Sequence, residues 1–66
     1  MTLKEFIVKQ GWAIGFAEVR RAVSAKCVHI NDKLAKSADE EVYYGDTIWY
    51  GIHKVAMVEE SWANEM

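Results

Sequence analysis

Arg20 and Arg21 stand side by side in an amphipathic stretch, and Lys26 and Lys33 follow within the next dozen residues. Fixed positive charge spaced this way on a folded surface suits the binding of a polyanion better than the making or breaking of covalent bonds. Drawn as a helix at about 100° per residue, Phe16, Val19, Ala22 and Val23 fall on one arc and Ala17, Arg20, Arg21 and Ser24 on the opposite one. Arg20 borders the apolar stripe, so its stem can lie on the core while its guanidinium stays in water. A charge pair alone is most often only a solvated helix face. Lys9, Lys33 and Lys36 gain meaning from its company.

The overall charge of −2 argues against nucleic acid, but its distribution does not. Residues 1–38 carry seven lysines and arginines against three acids, a net +4, and residues 39–66 carry one lysine against seven acids, a net −6. A chain polarised in this way can attract anions with one face and repel them with the other. The expectation is that the N-terminal cations gather on one exposed patch.

Other chemistries find little support. The sequence has no nucleophile–base constellation, no glycine loop that cradles phosphates and no pair of carboxylates placed for acid–base work, so neither an enzyme nor a cofactor is expected. Cys27, His29 and His53 lack the spacings of zinc sites, and one cysteine closes no intrachain disulfide. Cys27 is expected to act as a small buried or half-buried hydrophobe. No apolar run approaches the roughly 20 residues of a membrane span. Without a disulfide or a signal-like N-terminus, a reducing cytoplasm is the expected compartment and a monomer the favoured state.

At 66 residues the chain has room for one domain, whose core must come from its 52% hydrophobic residues. Thr2-Leu3-Lys4-Glu5 has capping-box spacing and predicts a first helix over about 3–10, ended at Gly11. Trp12, Ala13 and Ile14 read as an apolar connector folded under the helices. Gly15 with Glu18 keeps half of a second capping box, opening a helix over about 16–25. Val28-His29-Ile30 alternates as a strand with His29 facing away from its apolar neighbours, and Asn31-Asp32 suits a type I′ hairpin turn. Leu34 and Ala35 begin the return strand, and 37–41 is a polar loop. After a Gly45-Asp46 turn come strands near Thr47–Tyr50 and Lys54–Val58, broken at Gly51, with His53 in the turn. Tyr43, Tyr44, Trp49 and Tyr50 read as sheet packing. Residues 59–66 form an acidic tail whose Trp62 suggests a contact surface.

Four fragments in this order, Gly11-x-Ala13, Glu18-x-Arg20-Arg21, Val28-x-Ile30-Asn31 and Val42-x-x-Gly45-Asp46-x-Ile48, make residues 2–58 resemble the S-four RNA-binding domain. This family, the alpha-L RNA-binding motif, takes its name from ribosomal small-subunit protein four. The form found at the C-terminus of bacterial tyrosyl-tRNA synthetases matches the helix-to-hairpin spacing directly. The resemblance implies an α+β fold, with two short N-terminal helices packed on a mostly antiparallel sheet of about four strands. It also implies a non-catalytic module over 1–58 that docks structured RNA, ribosomal or transfer, through the second helix and the following hairpin. Carried over by position, Arg20, Arg21, Lys26 and Lys33 contact phosphates, and Asn31 sets the turn conformation. A-form RNA admits side chains poorly to its deep groove, so such recognition reads phosphates, 2′-hydroxyls and shape.

The departures are specific. Gly15 and Phe16 stand where the family places serine and a basic residue. Phe16 could stack on an unpaired base, although core packing is favoured. Lys26 and Cys27 replace glycines at the helix end, and Asp32 replaces the turn glycine, putting a carboxylate near the phosphate path. Binding weaker than a typical member's is expected. The candidate RNA-contacting set is Lys9, Phe16, Arg20, Arg21, Lys26, His29, Lys33 and Lys36. The alternative is a protein-interaction module that uses the acidic, aromatic C-terminal half to grip a protein partner or the ribosome.

Overall fold

The computed structural model describes residues 1–59, so Trp62 and the rest of the acidic tail lie outside it. In order, the elements are α1 (Leu3–Lys9), α2 (Phe16–Ser24), β1 (Val28–Ile30), β2 (Lys33–Leu34), β3 (Thr47–Tyr50) and β4 (Lys54–Met57). The four strands form one antiparallel sheet in the order β2-β1-β3-β4. The fold is the α+β arrangement of two short helices and a four-stranded sheet that the sequence pattern predicts.

Both ends of α1 follow from local chemistry. The Thr2 hydroxyl accepts the Glu5 amide, and the Glu5 carboxylate accepts the Thr2 amide at 2.8 Å, completing the capping box. At the other end Gly11 takes φ +81. Its amide donates to the Val8 carbonyl and that of Trp12 to the Ile7 carbonyl, the paired bonds of a Schellman stop. The Trp12 ring meets Phe6 edge-on at 6.1 Å, supplying the apolar contact that such a stop favours.

Leu3, Phe6 and Ile7, spaced i, i+3 and i+4, are fully buried with Val19 of α2, Val28 of β1, Ile48 of β3 and Val58. Burial of each such side chain is worth roughly 1.5–3 kcal/mol. The loop between β2 and β3 adds Ala35, Ala38 and Val42. Its backbone is tied to the N-terminal turn, for Leu3 N–H donates to Glu40 O, Lys4 N–H to Ala38 O and Val42 N–H to Met1 O.

Several expectations are corrected by what each segment packs against. The 12–14 connector does not fold under the helices as a unit. Ala13 is buried, but Ile14 is 95% exposed, because successive side chains of a short connector cannot all point one way. Cys27 is exposed, because it lies in the link between the end of α2 and the start of β1 and not inside either element. Tyr43 and Tyr44 project from the surface, and Trp49 lies on the face of the sheet away from the helices. Only Tyr50 packs as expected, stacked on Trp12 with centroids 6.1 Å apart. Of the hairpin-turn residues, Asn31 alone has positive φ, whereas a type I′ turn needs it at both.

Candidate nucleic-acid interface

The surface of α2 is set by how little of the helix the core takes. Val19 is buried and Ala22 and Val23 are half-buried, so the covered arc centres away from Phe16. Phe16 is therefore 43% exposed instead of packed in the core, at the margin of the stripe, about 40° from Arg20 around the helix. Lys4 Nζ sits 5.1 Å above the Phe16 ring. Arg20 and Arg21 are exposed, as the opposite arc requires. Gly15 caps the helix without a side-chain bond, and the Glu18 carboxylate accepts the Ile14 amide at 3.4 Å in its place.

The C-terminal stop of α2 repeats the device of α1 with a different residue. Lys26 N–H donates to Val23 O and Cys27 N–H to Ala22 O, and Lys26 itself holds φ +63. The left-handed position that glycine fills after α1 is here filled by a lysine, which carries charge to the end of the basic face at a cost of about 1–2 kcal/mol in backbone strain.

The hairpin tip is held by side chains. Asn31 Nδ2 donates to Asp46 Oδ1 at 3.2 Å, and Asn31 Oδ1 accepts the Thr47 amide at 3.0 Å. The second Asp46 carboxylate oxygen accepts the Tyr43 amide at 2.9 Å. Lys33 is exposed on the edge strand β2. Lys36 is exposed beyond it, with its backbone amide donating to Glu40 Oε1. Lys9 is exposed in the last turn of α1.

Arg20, Arg21 and Lys26 thus share one helix and its cap. Lys33 and Lys36 belong to the hairpin's return and the loop after it. Arg20 adds to the pull that holds the Asp39 carboxyl below the usual range, after the larger effect of the Lys4 hydrogen bond. His29 is not brought to this group. It is half-buried on the opposite face of the sheet, cross-strand from Leu34 and Trp49.

Charge segregation is incomplete. Lys4 is paired with Asp39, and the Met1 amine lies 3.3 Å from Glu41, because the backbone bonds of the 38–42 loop carry these acids back onto the first turn of α1. Arg20, Arg21, Lys26, Lys33 and Lys36 make no ion pair within 4 Å among the described residues.

Two features were not singled out from sequence. Lys4 over Phe16 depends on helix packing and leaves no local signal. The exposure of Trp49 was signalled, since period-two alternation puts it with Thr47 opposite buried Ile48. An open cleft of about 320 Å³ lies there, lined by His29, Asn31, Asp32, Trp49 and Gly51. Among the described residues no group of three or more histidines, cysteines or acids is placed to hold a metal ion, and no helix is long and apolar enough to cross a membrane. No family model, curated protein or solved structure matches the chain.

Proposed function

We propose that the chain is a small, non-catalytic RNA-binding module of S-four-like plan. It docks structured RNA, ribosomal or transfer, through α2 and the β1–β2 hairpin, mainly by phosphate contacts. One observation carries the proposal: Arg20, Arg21, Lys26, Lys33 and Lys36 are exposed and unpaired among the described residues, whereas Lys4 is neutralised by Asp39. Unpaired guanidinium and ammonium groups on a pre-formed helix and hairpin release counterions from each phosphate they meet, so affinity falls steeply with salt. Asp32 at the tip and Asp39 beside Arg20 weaken the attraction, in keeping with modest affinity. We assign the module to the reducing cytoplasm, where a lone exposed thiol such as that of Cys27 stays reduced.

Binding of a stem-loop RNA to the Arg20→Glu/Arg21→Glu variant tests this. The variant keeps its circular dichroism and loses measurable binding. Retained affinity overturns the proposal.

A protein-interaction module is the second reading, favoured by Tyr43 and Tyr44, 64% and 63% exposed beside exposed Glu41. A protein partner captured without RNA, through contacts insensitive to salt, would establish it.

A further inference from the structure

The face of the sheet turned away from the helices carries a row across all four strands: Leu34, His29, Trp49 and Val55, each cross-strand from the next. Its middle is not uniformly apolar. The cleft over His29 and Trp49 reaches Asp32 and Asn31 at one end and Gly51 at the other. Trp49 is 42% exposed, leaving part of its indole open. Asp32 accepts no hydrogen bond or ion pair among the described residues, whereas Asp39, Glu40, Glu41 and Asp46 are each engaged. The neighbouring Asn31 amide is fixed by Asp46 and Thr47, so the tip bearing Asp32 is held before any ligand arrives.

The geometry points to this cleft as a site for one unpaired guanine base. Three features of the lining select it. An open indole offers a stacking surface that every base can use. A free carboxylate accepts two parallel hydrogen bonds from N1–H and the N2 amino group of guanine, a donor pair that adenine, cytosine and uracil do not present on that edge. The cleft is open, so the base can remain attached to its chain. The assignment rests on the RNA-binding reading, but its stacking surface, Trp49, lies on the face of the sheet turned away from the helices, and its readout is a preference for one base and not the salt-dependent binding that Arg20 and Arg21 supply, so the two can fail separately.

The test uses the full chain and four RNA hairpins with one stem and one unpaired loop position, set in turn to guanine, adenine, cytosine and uracil. Guanine is bound roughly tenfold more tightly than the others. Asp32→Asn removes that preference, and because it also removes a carboxylate that opposes the phosphates, affinity for the other three loops is equal or higher. Trp49→Ala lowers affinity for all four loops by roughly tenfold, and Trp49→Phe restores most of it. Millimolar GMP, with UMP as control, is followed in parallel by the NMR signals of the His29 ring and the Trp49 indole. Shifts with GMP alone support the site even where no hairpin binds, an outcome that overturns only the RNA-docking reading. Hairpins bound with equal affinity, together with no selective GMP response, overturn the guanine site and leave that reading standing. A folded Trp49→Ala variant that loses a protein contact or self-association, with its response to GMP unchanged, also overturns the site.

Discussion

Asn31 and Asp46 hold each other across 15 residues of sequence, the amide donating to the carboxylate at 3.2 Å. This bond joins the tip of the β1–β2 hairpin to the turn before β3. The same two residues also satisfy the Thr47 and Tyr43 amides, so the pair orders both turns at once. The hairpin that presents Lys33 is thereby fixed to the sheet at its tip as well as along β1.

Removing the amide should be costly for two separable reasons. Asn31→Ala loses both side-chain bonds and places alanine at φ +57, destabilising the fold by about 2 kcal/mol. Asn31→Gly loses only the bonds and costs about 1 kcal/mol. Urea unfolding midpoints of the two variants distinguish the contributions, and equal values would show that backbone strain has no part.

Lys26→Gly has the opposite sign. Glycine relieves the left-handed strain after α2 and is expected to stabilise by about 1 kcal/mol, raising Tm by roughly 4–8 °C. If the proposed RNA docking holds, the same variant also loses one phosphate contact, so its RNA affinity falls and the slope of log affinity against log salt flattens by about 1. Thermal melts and titrations at several salt concentrations read the two effects independently.

Trp12 bridges Phe6 of α1 and Tyr50 of β3 while closing the stop of the first helix. Trp12→Ala should destabilise by about 2–4 kcal/mol, a large fraction of the stability of so short a chain, and Trp12→Phe by less. The loss is also visible as a reduced near-ultraviolet dichroism, because the stacked Trp12–Tyr50 pair is broken.

Acid sensitivity should come from two carboxylates. Hydrogen bonds from the Thr2 amide and hydroxyl hold Glu5 below its ordinary value of 4.5, and the Lys4 hydrogen bond holds Asp39 below its ordinary 3.8. Both groups are more acidic folded than unfolded. Their stabilisation is therefore fully present above those values and is lost as pH falls through the lowered ones. Denaturant midpoints measured from pH 6 to pH 2 should show this loss. Glu5→Gln and Asp39→Asn flatten the curve, since neither amide titrates.

What could be read from the chain alone was whatever a few adjacent residues decide. Thr2 and Glu5 announce the first cap, Gly11 its stop, and the alternation of Val28–Ile30 and Thr47–Tyr50 the two central strands. Periodicity gives the face of an element but not how much of it a partner covers, which is why Phe16 was expected inside and Tyr43 and Tyr44 against the sheet. The Asn31–Asp46 bond and the pairing of Lys4 with Asp39 join residues far apart in sequence, so no local window contains either. The basic face of α2 was legible because it is confined to one helix. The neutralisation of Lys4 and of the Met1 amine was not, because Asp39 and Glu41 arrive from a distant loop.

The backbone stitches from Leu3 to Glu40 and from Lys4 to Ala38 bear on the order of assembly. The β3–β4 hairpin and each helix can begin to form from neighbouring residues, but α1 gains its final support only after a span of more than thirty residues has closed, an entropic hurdle crossed late. A protease that nicked the chain between Lys36 and Glu41 would sever the helices and the β1–β2 hairpin from β3 and β4, leaving only non-covalent contacts to join the two halves of the core.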